Sequence, residues 1–155
     1  MTETKDCVKI VGIVEVTLKD AKTGRLLYYE KGRNTIVAQG KAYMRRNIIQ
    51  YSTQYNGNYL CLSGSSSTPS DSETSVPSLI TPTKTATKTI VTEGGNEYMR
   101  WEATWATSEA NTTIYSVAIA ENSDGTGEWA RYVFSSPISK TSTQELTITY
   151  SILLQ

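Results

Sequence analysis

The last sixty residues constrain this chain more than any other stretch. From Glu97 to Gln155, four runs rich in Trp, Tyr, Val, Ile and Thr alternate with three polar breaks, SEAN, NSDGTGE and SPISKTSTQ. Short runs of β-branched and aromatic residues between turn formers favour pleated strands, so this part predicts an antiparallel β-meander. Within it, Met99, Trp101 and Trp105 share one side of a strand and predict a core face, and Leu146, Ile148, Tyr150 and Ile152 do the same for the last strand. No catalytic motif sits in or beside these runs.

Upstream, Val8, Ile10, Gly12, Val14, Val16 and Leu18 alternate along a strand, and Leu26 to Glu30 returns from a turn ending in Gly24. This gives an N-terminal hairpin over 8–30. A turn at Lys31-Gly32-Arg33 is expected before a short strand near Asn34 to Val37. The period then changes. Val37, Lys41, Met44, Ile48 and Tyr51 fall on one stripe, predicting an amphipathic helix over about 37–51. Gly40 weakens its first turn or admits a neighbouring backbone. Tyr59 to Ser63 reads as a buried strand, and Thr85 to Thr92 with Tyr98 to Thr107 as a hairpin. Between them, 64–82 is rich in Ser and holds three of the four prolines. Proline cannot donate to a ladder, so this is expected to be a long surface loop. The fold class is therefore mainly β: an antiparallel β-sandwich or flattened barrel with one short helix, in a single domain over 1–155.

Composition narrows the function. Histidine is absent, which removes the usual general base near neutral pH and most transition-metal sites. Fifteen basic and fifteen acidic residues balance, and Arg45-Arg46 is the only adjacent basic pair, so no nucleic-acid partner is expected. Met1 to Asp6 is polar and no run approaches the roughly 20 apolar residues of a membrane span, so neither a secretory leader nor a membrane partner is expected. Cys7 and Cys61 fit two buried thiols, or one disulfide in an oxidising compartment.

The remaining chemical signals have ordinary explanations. Ser63 to Ser67 lacks both the G-x-S-x-G elbow and a Gly-Lys-Ser/Thr ending. Asp124, Thr126 and Glu128 place oxygens at alternate positions, as calcium loops do, but a hairpin turn accounts for them with fewer assumptions. Glu73, Glu102, Glu109 and Glu121 offer carboxylates for a glycosidase pair, with nothing to single out two of them. Tyr98, Trp101, Trp105, Trp129 and Tyr132 could stack on sugars, although aromatics at strand spacing more often build cores. Asn111-Thr112-Thr113 fits the glycosylation pattern. No catalytic residue, metal or cofactor is assigned.

An ordered series of short motifs remains. Asn34-Thr35-Ile36-Val37 leads through Gly40 into the helix; Leu60-Cys61-Leu62-Ser63-Gly64-Ser65 and Thr68-Pro69-Ser70-Asp71 follow. Then come Trp105, Glu109-Ala110-Asn111, Ile114, Gly127, Arg131-Tyr132-Val133-Phe134, Ile138, Ser139-Lys140 and Leu146-Thr147-Ile148-Thr149-Tyr150. In this order the chain resembles small structural proteins of tailed-virus particles: tail, neck or capsid-surface subunits of phages and their relatives. The resemblance spans Asn34 to Leu153 and leaves out the hairpin over 8–30. It implies a non-enzymatic virion protein, made in the host cytoplasm, that assembles with itself and with other virion proteins. The interface expected on that reading lies in the long loop, at Ser65, Ser66, Thr68, Pro69, Asp71, Val76 and Leu79. A carbohydrate- or receptor-binding sandwich, with a glycan as partner, is the alternative.

Overall fold

A computed structural model describes residues 10–50 and 56–154. Cys7, Val8 and Tyr51, named above, lie outside these. Nine strands and one helix follow in order: β1 (Ile10–Asp20), β2 (Leu26–Ile36), α1 (Ala38–Gln50), β3 (Tyr59–Ser63), β4 (Leu79–Thr85), β5 (Thr87–Glu93), β6 (Asn96–Trp105), β7 (Thr113–Ala120), β8 (Glu128–Ser139) and β9 (Gln144–Leu154). Among the described residues they form two antiparallel sheets and no closed barrel, consistent with a sandwich. The hydrogen-bonded order is β4-β3-β7-β8-β2-β1-β9-β6-β5.

The strand that joins the two sheets is β2. Most of it pairs with β1, from Leu26 to Asn34, while Thr35 and Ile36 pair with Arg131 and Ala130 of β8. The turn expected at Lys31-Gly32-Arg33 is absent because β2 runs straight through it. Gly32 has a different purpose. A Cβ there would stand 2.1 Å from the Tyr132 hydroxyl, so glycine makes room for that ring. Glu30 ties the same region together, its carboxylate accepting from the Ser135 amide (2.9 Å) and from the hydroxyls of Ser135, Tyr28 and Tyr132.

The last sixty residues do not form a meander. β7 and β8 pair with each other in one sheet, whereas β6 and β9 pair in the other. Both connections, 106–112 and 140–143, therefore cross between sheets. Lys140 explains why they cross together. Its buried ammonium donates to the carbonyls of Ala106 (2.7 Å) and Glu109 (2.8 Å) and to Asn111 Oδ1 (3.1 Å). Its amide also donates to the Thr112 carbonyl (3.1 Å). One charge thus gathers orphan acceptors of one crossing onto the start of the other.

Between the sheets lie Val14, Val16, Leu60, Leu62, Ile114, Val117, Ile119, Leu146, Ile148 and Ile152, with Trp105 and Tyr150. Each such aliphatic side chain contributes about 1.5–3 kcal/mol by burial. The predicted core faces of β1, β6 and β9 are the observed ones, with Met99 half-buried at the margin. The β5–β6 hairpin closes through Gly94 and Gly95, at φ 57° and 81°, the left-handed pair that a two-residue turn between twisted strands requires. Helix α1 packs on β8 at one end of the sandwich. There Gly40 allows contact with main chain, since a Cβ would stand 2.1 Å from the Trp129 carbonyl oxygen.

Candidate functional site

The long loop is shorter than its composition suggests, and it is fastened down. Leu79 begins β4, which tolerates Pro82 because it is an edge strand with a cis Thr81–Pro82 bond, so the irregular part runs over 64–78. It crosses the outer face of the sheet that holds β3, β7 and β8, as a strap. At its start, Ser116 donates to the Ser65 carbonyl (2.8 Å) and the Gly64 amide to the Ser78 carbonyl (2.9 Å). At its far end, the Val76 amide bonds the Gly125 carbonyl (3.0 Å), and Thr74 accepts from the amides of Gly127 and Glu128. Beneath it, Val76 packs with Cys61, Ala118 and Ala120, and Leu79 lies against them.

Arg131 holds the middle. Its side chain is fully buried and donates to the Ser67 carbonyl (2.9 Å), to Ser67 Oγ (3.3 Å) and to both oxygens of Glu73 (2.5 and 3.2 Å). Glu128 lies on its other side, with Oε1 3.6 Å from Arg131 Nε. Residues three apart in a regular strand point to opposite faces. Here a bulge intervenes, because Ile119 pairs with Ala130 and Ala120 with Glu128, leaving Trp129 as the extra residue. One guanidinium therefore faces two carboxylates, Glu128 fully buried and Glu73 at the partly exposed edge of the strap. Glu73 takes the close ion pair. Burial, then repulsion from Glu73, pushes the Glu128 carboxyl up to about 8 against the pull of Arg131. Burial likewise pushes the Cys61 thiol up to about 12, with the Glu128 charge adding to it.

The predicted interface residues divide accordingly. Ser66, Thr68 and Asp71 are exposed; Ser65, Pro69 and Leu79 are half-buried. Val76 is buried and faces the sheet, which corrects its place in an outward surface. The segment 65–78 also covers part of the sheet. Its removal would uncover Cys61, Ala118 and Ala120 and leave Arg131 and Glu128 without cover.

The four carboxylates weighed for acid–base chemistry stay apart. Glu73 serves Arg131, Glu109 pairs with Lys84 (2.6 Å), and Glu102 is exposed beside Thr149. Glu121 is buried and accepts from the Gly57 amide (2.7 Å) and Trp129 Nε1 (2.8 Å). The pair that does meet, Glu73 with Glu128, was not legible because only the bulge brings it together. The calcium-like spacing dissolves too: Asp124 turns back to accept from Thr126, while Glu128 enters the site under the strap. Among the described residues no three His, Cys, Asp or Glu side chains gather as a metal site.

The three tryptophans are core rather than platform, Tyr132 packs partly buried against the same core, and Tyr98 is half-buried on the outer face of β6. Trp105, Trp129 and Trp101 are 0, 3 and 4% exposed. Trp101 and Trp129 meet edge-on at 6.2 Å, and Tyr43 of α1 lies 5.8 Å from Trp129. Beside them, Met44, Met99, Ile90, Lys88 and the margins of both indoles line a groove of about 390 Å³. Among the described residues, no strap crosses the outer face of the other sheet. That face presents Thr17, Thr147 and Thr104 in register across three strands, and Lys31 beside Glu15 (3.5 Å). No protein family model, curated protein or solved structure was found to match the chain.

Proposed function

We propose that the protein is a non-enzymatic structural subunit of a tailed-virus particle, docking on neighbouring virion subunits through the exposed crest of the strap. The observation that carries this reading is the way Arg131 and Ser116 clamp residues 65–73 to the sheet while Ser66, Thr68 and Asp71 remain exposed. A loop fixed from beneath loses little conformational entropy when it meets a partner, and that favours affinity at a small contact. Its crest offers hydroxyls and one carboxylate, which suit hydrogen bonding to another protein's polar rim. The ordered motifs from Asn34 to Leu153 supply the viral part of the reading.

The test is the copy number of the protein in purified particles by mass spectrometry, for the native chain and for Ser66→Arg and Thr68→Arg. A high copy number places the subunit on the capsid surface or along the tail tube, and a low one at a neck or tail-tip ring. Both strap variants should unfold like the native chain yet fall several-fold in copy number. Absence of the native protein from particles, or full incorporation of both variants, would overturn the proposal.

A further inference from the structure

We infer that a second copy of this chain pairs along β5, antiparallel and across a two-fold axis at Ile90, extending the strap-free sheet from one protomer into the next. The strand order ends at β4 and β5, so each is an edge among the described residues. The two edges differ in kind. β4 carries Pro82, which has no N–H to donate, and a register shift opposite Leu60 and Leu62, and both interrupt its ladder. Breaks of this sort are how sheets refuse added strands. β5, with the sequence Thr-Lys-Thr-Ile-Val-Thr-Glu, has neither proline nor bulge, and its pairing with β6 is regular from Thr87 to Glu93. At its centre Ile90 is 74% exposed, the most exposed large apolar side chain described.

The sequence of β5 favours itself as the occupant. A two-fold axis normal to the sheet keeps the same faces up in both copies, so facing residues must have the same parity. Centred on Ile90, that register sets Ile90 opposite Ile90, Thr89 opposite Val91, Lys88 opposite Thr92 and Thr87 opposite Glu93. No like charges face each other, and the most exposed apolar residue gains an apolar partner. The charged ends keep their partners within each protomer: Lys88 Nζ on Asn58 Oδ1 (2.8 Å) and Glu93 on Arg100 (2.5 Å). Ile90 shares a face with Lys88 and Met99 at the lip of the apolar groove, so pairing would bring the grooves of two protomers side by side. The contact is small and on its own gives a reversible dimer, which the local concentration inside an assembly would reinforce. It deepens the assembly reading by naming the partner at a surface separate from the strap. The two sets of variants can therefore fail independently.

Sedimentation velocity over a concentration series, with cysteine cross-linking in a Cys7→Ser background, tests the pairing and its register. Facing residues of antiparallel strands have Cα atoms about 4.5–5.5 Å apart, within disulfide reach, so Ile90→Cys should link to itself. Thr87→Cys and Thr92→Cys do not meet themselves in this register and should yield several-fold less covalent dimer. Ile90→Lys places two ammonium groups face to face and should leave a monomer whose far-UV circular dichroism is unchanged. A chain that remains monomeric up to millimolar concentration would overturn the inference. So would a dimer indifferent to Ile90→Lys, or equal cross-linking at residues 87, 90 and 92.

Discussion

Replacing Glu128 by Gln tests the charge arrangement under the strap. In the folded chain the carboxyl, buried and beside Glu73, keeps its proton up to about pH 8, against an ordinary value of 4.5. The proton belongs to the Glu73–Glu128 pair, which faces the single cation of Arg131. A raised carboxyl means that between pH 4.5 and 8 the folded chain binds more protons than the unfolded chain. Stability then falls as pH rises through this window. The contribution is complete below pH 4.5 and lost above about 8. At about 1.4 kcal/mol per unit the whole effect is at most about 5 kcal/mol, an upper bound because the strap can relax and admit water. Glutamine copies the protonated acid in shape and charge. Glu128→Gln should therefore match the native chain near pH 5 and exceed it near pH 8.5 by on the order of 2–5 kcal/mol in urea unfolding. Parallel pH profiles would refute the reasoning. A variant weaker than the native chain at pH 8.5 would show that Arg131 needs the Glu128 charge.

Three further outcomes follow from particular contacts. Gly40→Ala gains about 1 kcal/mol of helix propensity but drives a methyl into the Trp129 carbonyl, so its melting temperature should drop, and a rise would mean that α1 has room to shift. Lys140→Met leaves the carbonyls of Ala106 and Glu109 without their donor and should lower stability by roughly 3 kcal/mol in urea unfolding. All three tryptophans should emit at short wavelength and resist iodide quenching, with no response to added glycans, and strong quenching would put Trp101 or Trp129 at an open surface.

What the sequence disclosed was whatever depends on neighbours along the chain. Alternation placed Trp101 and Trp105 on the inner face of β6, and the 3.6-residue stripe through Val37 and Met44 located α1. Glycine at 94 and 95 marked the break of a hairpin over Thr85 to Thr107, which closes more tightly than its five-residue gap suggests, on those two residues alone. What it hid depends on partners far away in sequence. Gly32 looks like a turn former until Tyr132, one hundred residues later, is seen to need its space. Glu128 and Arg131 look like opposite faces of a strand until the bulge at Trp129 turns them together. The strap looked like a free arm because Ser, Thr and Pro give no apolar period. Its attachment comes from an arginine in β8 and a serine in β7, whose partners are two loop carbonyls and the Glu73 carboxylate, fifty-eight residues before the arginine. Ile90 sat unnoticed in an ordinary alternating strand, since only the sheet order makes β5 an edge.

The motifs behind the viral resemblance are, in this structure, mostly residues that hold the fold. Asn34 donates to the Tyr150 hydroxyl, linking β2 to β9. Gly40 admits the Trp129 main chain. Glu109, Ala110 and Asn111 form a tight bend, with Ala110 at φ 48°, clasped by Lys140 from the far side of the crossing. Arg131 fastens the strap through Ser67 and Glu73. Each of these residues is required wherever the same crossings and the same strap recur, so a resemblance carried by them is an expectation about fold. It says much less about what the surface meets. That depends on Ser66, Thr68 and Asp71 on the crest and on Ile90 at the edge, and of these only Thr68 and Asp71 fall within the quoted motifs, both as exposed side chains. Substitution at the crest and at the edge therefore separates the role of the protein from the fold that presents it. Substitution at Gly40, Lys140 or Arg131 would only weaken the fold.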